Sequence, residues 1–179
     1  MNLNDFQELS RRTMPFGGSP KNNVEYENGL TNYSMGLIGE CAEVLSAAND
    51  REAILKELGD VSHYAFGLLT YLDEVYDSDS LTNYFVDGSR TGLIEKIIIL
   101  SGEISEQIKK FVFHRHELNS NKIKLALKML IKNLIALAEF YDSSLEQICE
   151  MNINKLKIRY PEKFNTEDSK KRVDVEATP

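Results

Sequence analysis

Tryptophan is absent from this 179-residue sequence, proline occurs four times, and cysteine occurs only twice, at Cys41 and Cys149. No pairwise motif surrounds either cysteine, so we expect two small buried side chains in a reducing compartment. Positive charge is also in short supply, because 21 Lys and Arg stand against 28 Asp and Glu and give a net charge of −7. Binding to nucleic acid, which needs a basic surface, is therefore not expected.

Long hydrophobic runs are missing as well. No apolar stretch approaches the roughly 20 residues that a helix needs to cross a bilayer. The opening segment, 1–7, is polar and acidic, so we expect no signal peptide. Together these absences predict a cytoplasmic protein without a membrane partner.

What the sequence does contain is apolar residues at helical spacing, with few alternating β-branched segments. We therefore predict an all-α fold, a helical bundle built from two antiparallel helix hairpins with flanking helices. Capping boxes at Asn49-x-x-Glu52 and Ser143-x-x-Glu146 are expected to begin two of the helices. The predicted helices cover 3–13, 24–48, 51–73, 93–112, 122–141 and a last segment that ends near 160.

Domain organisation follows from the same patterns. The polar tail at 165–179 carries mixed charge and is predicted to be disordered. A segment rich in Ser, Asp and Asn interrupts the helices, with a short helical turn expected around Tyr84. A single domain is expected at 1–164, with a first half at 1–76, a linker at 77–90 and a second half at 91–164.

Two pairs of acidic residues, Glu40 with Glu43 and Glu57 with Asp60, lie on consecutive predicted helices. The i,i+3 spacing places both members of a pair on one helix face, about 5–6 Å apart at Cβ. Folding the two helices into a hairpin would direct the carboxylates at one point, where they repel one another unless a cation lies between them. Hard oxygen ligands in this arrangement favour Mg²⁺, with Mn²⁺ as a substitute.

Other interpretations of these residues stay open. The acidic pairs are also compatible with solvated charges that border an apolar helix face. Gly39 and Gly59 lie inside the same helices, where each costs about 1 kcal/mol relative to alanine, so we expect a close helix contact or a ligand beside the backbone. His63 is either a further metal ligand or a structural hydrogen-bonding residue. A di-iron bundle is disfavoured, because it needs two ExxH motifs and the sequence offers a single DxxH.

Three blocks of the sequence, which together span most of the chain, resemble the all-α NTP pyrophosphatase superfamily, the MazG-like group. Segments 36–43 and 56–64 look like the ExxE and ExxD motifs of that family. Segment 152–161 resembles its terminal NxxKLxxRYP block, and Phe164 also fits. The opening residues within 6–13 are similar to the start of many members.

The resemblance implies an enzyme that hydrolyses a nucleoside triphosphate to the monophosphate and pyrophosphate with the help of Mg²⁺. An acidic protein can bind such a substrate, because a divalent ion supplies the missing positive charge. By resemblance, the metal ligands and catalytic residues are Glu40, Glu43, Glu57 and Asp60. By the same resemblance, the residues that contact the substrate include Asn152, Lys155 and Arg159.

A second GExxE motif, at 102–106, precedes Lys109 and Lys110, which match basic residues of many family members. These two lysines are predicted either to bind the substrate phosphates or to form a solvated basic edge, and the acids of this second motif are expected on an exposed helix face. The register of the terminal block would place a second ExxD at Ala126 and Met129, neither of which binds a metal. We therefore infer a duplicated unit, a fused pseudo-dimer in which one metal site survives.

The resemblance also implies a homo-oligomer, most simply a dimer, while the preferred base and sugar are not indicated by the sequence. An alternative function is a catalytically silent helical interaction or regulatory module of the same fold, which the eroded second half favours. The enzyme interpretation predicts turnover and thermal stabilisation by Mg²⁺, and the silent module predicts neither.

Overall fold

The structure is a computed structural model that describes residues 1–47, 50–79, 84–86 and 88–171. Every regular element in these ranges is helical, so the predicted all-α fold is confirmed. Two short 3₁₀ segments, Arg11–Thr13 and Pro15–Gly18, follow the first helix. The α-helices are α1 (Leu3–Ser10), α2 (Asn23–Ser46), α3 (Arg51–Tyr71), α4 (Arg90–His114), α5 (Ser120–Phe140), α6 (Leu145–Arg159) and α7 (Thr166–Lys171).

Four long helices form two consecutive helix hairpins, α2–α3 and α4–α5, and α2 packs against α4. The shorter α6 lies against α3 and α5, while α1 lies across α3 and α6. One apolar core joins these elements, and its fully buried members include Leu37, Leu58, Ile97 and Leu134. The predicted helical bundle is therefore confirmed.

Two helices begin one residue later than the predicted capping boxes. Helix α3 begins after Asp50, whose side chain accepts a hydrogen bond from the backbone amide of Ala53. The predicted cap, Asn49, lies outside the described residues. Helix α6 begins after Ser144, which forms a capping box with Gln147, so the prediction of the preceding serine was wrong. At both sites two adjacent residues are able to cap, and only the packed position of the helix selects between them.

Two surface segments also differ from expectation. The tail contains a short helix, α7, where disorder was predicted, because the side chain of Asn165 accepts a hydrogen bond from the amide of Asp168 and begins a helical turn. Residues 172–179 lie outside the described part of the chain. Residues 84–86 are not helical, so the helical turn expected around Tyr84 is not found among the residues described there, and 80–83 and 87 lie outside them.

The structure also describes the surroundings of the two cysteines and the length of the helices. Cys41 and Cys149 are both buried and free. Burial raises the pKa of Cys41 to about 12 and raises that of Cys149 further above its usual range, so both thiols stay protonated at neutral pH. Among the helices that the structure describes, none has both the length and the apolar content of a bilayer span.

Contacts between tyrosine and glycine bring α2 and α3 close together. Tyr33 of α2 lies against Gly67 of α3, and Tyr64 of α3 lies against Gly36 of α2. A Cβ atom at Gly67 would lie 2.1 Å from the Tyr33 ring, and one at Gly36 would lie 2.3 Å from the Tyr64 ring. Neither position therefore accepts a side chain without displacing the opposite helix. These contacts fix an antiparallel register that also places the acidic residues of the two helices opposite each other.

Candidate metal centre

The carboxylates of Glu40, Glu57 and Asp60 converge where α2 faces α3. One oxygen atom from each residue lies within 4.8 Å of the others. Glu57 is buried, with 7 % of its surface exposed, and the other two are partly buried. Glu43 does not join this group, because its side chain is exposed and lies on the rim of the adjoining cavity. The structure thus brings together three of the four predicted ligands.

Lysine side chains already contact two of these carboxylates. Asp60 Oδ1 accepts hydrogen bonds from Lys155 Nζ and, at 2.7 Å, from Asn152 Nδ2. Glu57 Oε1 accepts a hydrogen bond from Lys56 Nζ at 2.8 Å. The other carboxylate oxygen of Glu57, Oε2, is buried and has no hydrogen-bond partner among the residues described. The cluster is therefore only partly compensated by positive charge.

Electrostatic repulsion within the cluster is visible at Glu40. The pKa of Glu40 is raised to about 7, first by burial and then by the negative charges of Asp60, Glu43 and Glu57, while Lys155 opposes the change. The raised pKa means that the surroundings of this carboxyl group disfavour its charged form. A cation between these carboxylates would remove that cost.

The donor set fits a hard divalent cation. Carboxylate oxygens from two helices are the ligands that Mg²⁺ and Mn²⁺ prefer. The buried, unpaired Oε2 of Glu57 is an acceptor that a positive charge would satisfy, and an unpaired buried acceptor otherwise costs about 1–3 kcal/mol. Glu40, Glu57 and Asp60 therefore fit a hard divalent cation chemically, and the Mg²⁺ site stays a prediction.

A cavity of about 190 Å³ opens beside the carboxylates. Besides the carboxylates, the cavity is lined by aromatic side chains, namely Tyr33, Tyr64 and Tyr160 together with His63. His63 Nε2 lies 3.1 Å from the hydroxyl of Tyr33, and its Nδ1 is buried without a partner among the described residues. Burial lowers the pKa of His63 to about 4, so the ring is neutral. His63 is not part of the carboxylate cluster, which agrees with its interpretation as a hydrogen-bonding residue.

The predicted substrate-binding residues divide into two groups. Asn152, Lys155 and Arg159, all on α6, lie at the site: the first two contact Asp60, and Arg159 lines the cavity. Lys109 and Lys110 do not line it. They form ion pairs with Glu106, at 2.6 and 3.5 Å, on the surface of α4. Of the two interpretations of these lysines, this position agrees with a solvated basic edge within a single chain.

The second GExxE motif forms no comparable site among the described residues. Glu103 is exposed, and Glu106 binds the two neighbouring lysines, as expected for a solvent-exposed face. Ala126 is buried and Met129 packs against the core, so apolar side chains occupy the positions where a second ExxD would lie.

Gly39 and Gly59, the helical glycines next to Glu40 and Asp60, have different surroundings. A Cβ atom at Gly59 would lie 3.0 Å from Cβ of Asn152, so this glycine permits the close approach of α6 that brings Asn152 to Asp60. Around Gly39 no described atom lies within 4 Å of such a Cβ. The expected close helix contact is thus present at Gly59 and absent, within the described residues, at Gly39.

Arg12 has a role that the sequence did not indicate. Its Nη1 donates to the backbone carbonyl oxygens of Tyr160, Pro161 and Glu162, at 2.6, 3.2 and 3.0 Å. These carbonyls follow directly after the last residue of α6. Arg12 thereby holds the end of α6 over the cavity, where Tyr160 and Phe164 complete the wall. The only sequence signal was the position of Arg12 within the opening block.

Comparisons of this chain with protein-family models, curated proteins and solved structures gave no match. The resemblance to the MazG-like group therefore remains a prediction from the three sequence blocks. Any functional conclusion depends on the geometry of the carboxylates, the basic residues of α6 and the adjoining cavity.

Proposed function

We propose that this protein is a Mg²⁺-dependent nucleoside triphosphate pyrophosphohydrolase, with Mn²⁺ as a substitute, which releases a nucleoside monophosphate and pyrophosphate. The observation that carries this proposal is the convergence of Glu40, Glu57 and Asp60, with oxygen atoms within 4.8 Å of one another, beside a cavity and a basic helix. The buried unpaired oxygen of Glu57 supports a cation at this point.

The chemistry requires a water molecule to attack the α-phosphorus while the bond from that phosphorus to the bridging oxygen breaks and pyrophosphate leaves. Bound Mg²⁺ would neutralise phosphate charge and lower the pKa of a coordinated water. Lys155 and Arg159 project from α6 toward the site and supply positive charge for the leaving pyrophosphate. One carboxylate of the site would act as the general base that takes a proton from the attacking water.

A silent interaction module is the second candidate, and one observation favours it. Asp60 is paired with Lys155, and Glu57 with Lys56, so two of the clustered carboxylates already have cationic partners. A protein that never binds a metal would be stabilised by such pairs alone. Against this, Glu40 and the second oxygen of Glu57 keep an uncompensated negative site, which a purely structural cluster does not need.

The deciding experiment incubates the protein with a panel of NTPs and dNTPs in the presence of MgCl₂ and measures monophosphate and pyrophosphate separately. Glu57→Gln and Asp60→Asn should each lower the rate at least 100-fold, because each removes a ligand charge. The matched control is Glu103→Gln, an exposed acid of the second GExxE motif, which should keep the parent rate. The same proteins are compared by thermal unfolding with MgCl₂ and with EDTA.

The outcomes separate the two candidates. Turnover together with a Mg²⁺-dependent rise in melting temperature supports the enzyme. A protein with neither property on the whole panel is the silent module. If Asp60→Asn hydrolyses nucleotides at the parent rate, the ligand set proposed above is wrong.

A further inference from the structure

The cavity beside the carboxylates has two chemically different ends. The carboxylate cluster lies at one end; Tyr33, His63 and Tyr64 lie at the other, where the positive charge of Arg159 acts on His63 and Tyr64. His63 follows Asp60 by one helical turn, and Tyr33 precedes Glu40 by about two turns, so the two ends are separated by ~5–10 Å along the hairpin. A ligand that binds at both ends must therefore have a charged group and an uncharged, flat group on the same molecule.

The aromatic end is shaped for a single ring system. The whole cavity measures about 190 Å³, whereas pockets that enclose a drug-sized ligand span about 300–1,000 Å³. A whole nucleoside triphosphate is therefore too large for the cavity, and only part of the molecule enters it. The rings of Tyr33 and Tyr64 meet edge to face, with centroids 5.2 Å apart. Tyr33 is buried, so the partly exposed ring of Tyr64 is the one on which a base would stack.

His63 supplies the polar atom at this end. Its Nδ1 is buried and has no partner among the described residues, although most buried polar atoms in proteins are hydrogen-bonded. Its other ring nitrogen lies 3.1 Å from the Tyr33 hydroxyl, so the orientation of the ring is fixed. The neutral ring carries one N–H group, and the contact with Tyr33 determines which nitrogen bears it.

We propose that the aromatic end of the cavity binds the base of the nucleotide, and that His63, positioned by Tyr33, selects that base through a hydrogen bond from or to Nδ1. This inference rests on the proposed function for the identity of the ligand as a nucleotide. Asp60 and His63 lie on the same helix, so the base and the phosphates are held by neighbouring turns of α3. The preferred substrate is a nucleotide whose base edge complements Nδ1.

Tyr33 is a positioning residue in this arrangement. If its O–H donates to Nε2, then Nδ1 carries the hydrogen and requires an acceptor on the base; if Nε2–H donates to the Tyr33 oxygen, then Nδ1 accepts and requires a donor. A site built to make such a bond discriminates strongly against a base that lacks the matching group, because the buried atom is then left unpaired. Loss of the Tyr33 hydroxyl should therefore weaken the discrimination among bases.

Binding measurements test this inference without any need for turnover. The affinities of the full chain for CMP, UMP, AMP and GMP are measured by calorimetry with MgCl₂ present, with ribose 5-phosphate as the ligand that lacks a base. At least one monophosphate should bind more tightly than ribose 5-phosphate. His63→Phe should lower the affinity for that monophosphate about 5- to 100-fold and leave ribose 5-phosphate unchanged. The control, His116→Phe, changes an exposed histidine outside the cavity and should change neither affinity.

Tyr33→Phe serves as a second variant if His63→Phe does not fold. It keeps the ring on Gly67 and removes only the hydroxyl, so it should reduce the ratio between the tightest and weakest monophosphates. A purely structural role would lower the melting temperature and leave that ratio unchanged, which overturns the proposal. Equal binding of all four monophosphates and ribose 5-phosphate by the parent protein also overturns it.

The two proposals fail in different ways. Selective, His63-dependent binding of monophosphates without release of pyrophosphate from any triphosphate rejects the proposed hydrolysis and keeps the base site. Release of pyrophosphate with base selectivity that is unchanged in the His63→Phe and Tyr33→Phe variants rejects the base site and keeps the enzyme.

Discussion

Replacing Glu40 with glutamine tests whether the acidic cluster is electrostatically unfavourable in the folded protein. The pKa of Glu40 is about 7 in the folded protein, against 4.5 for an unperturbed glutamate. The folded state therefore binds this proton more tightly than the unfolded state. The stability that this provides is complete below pH 4.5 and is lost as the pH rises through about 7. Glutamine does not ionise, so Glu40→Gln should keep at pH 8.5 the stability that the parent protein loses.

The size of the effect follows from the pKa. A change from 4.5 to about 7 corresponds to about 3 kcal/mol of unfolding free energy, at about 1.4 kcal/mol for each tenfold change in proton affinity. The side chain of Glu40 is only partly buried, and solvent screening reduces the expected value to about 1–2 kcal/mol. For a chain of this size, that corresponds to a rise in melting temperature of about 2–8 °C.

The assay is thermal and urea unfolding in EDTA at pH 5 and pH 8.5, for the parent protein, Glu40→Gln and the exposed control Glu103→Gln. The advantage of Glu40→Gln should be clear at pH 8.5 and small at pH 5, while the control stays within about 0.5 kcal/mol of the parent at both. Addition of MgCl₂ at pH 8.5 should stabilise the parent more than Glu40→Gln. If Glu40→Gln is less stable than the parent at pH 8.5, or if its advantage is the same at both pH values, the electrostatic reasoning is refuted.

Four further substitutions probe the surroundings of the cluster. Lys155→Met removes the cation that binds Asp60, so calorimetry should find several-fold tighter Mg²⁺ binding while kcat/KM falls. The surface variant Lys109→Met should change neither quantity. Weaker Mg²⁺ binding by Lys155→Met would contradict the expectation. Gly39→Ala should raise the unfolding free energy by about 1 kcal/mol, because no described atom lies where the new Cβ would be. Gly67→Ala should lower it by about 1–3 kcal/mol, because the new Cβ would overlap the ring of Tyr33. Equal effects of the two variants in unfolding experiments would argue against the packing described. Arg12→Met should raise KM more than it lowers kcat, since it releases the end of α6 from the cavity wall, and an unchanged KM would exclude that role.

Much of the fold could be predicted because it depends on local periodicity. The long helices α2 to α5 carry apolar residues at helical spacing, and each observed boundary lies within a few residues of the predicted one. The convergence of Glu40 with Glu57 and Asp60 also follows from local spacing, once two adjacent helices fold back on each other. Helix starts were less predictable, because neighbouring residues such as Ser143 and Ser144 cap equally well in isolation.

Other features of the site depend on tertiary contacts that spacing does not reveal. Lys155 reaches Asp60 across 95 residues of sequence, and Arg12 reaches the end of α6 across 148. The contact between Tyr33 and His63 requires α2 and α3 to approach through their glycines. Glu43 shares its helix face with Glu40, yet its side chain is exposed and lies outside the carboxylate cluster. The spacing of residues in the sequence does not predict any of these contacts.

The second hairpin shows why only one cluster of this kind occurs in the described part of the chain. Three carboxylates brought within 4.8 Å of one another are stable only with cationic partners, since a buried uncompensated charge costs several kcal/mol. In the first hairpin, Lys155 of α6 supplies one such partner. The second hairpin has buried Ala126 and core-packed Met129 where its acids would lie, and these side chains stabilise the bundle without any ion. If the two hairpins arose by duplication, loss of the second pair of acids removed an electrostatic cost; under the proposed function, a cation or a substrate offsets the same cost in the first pair.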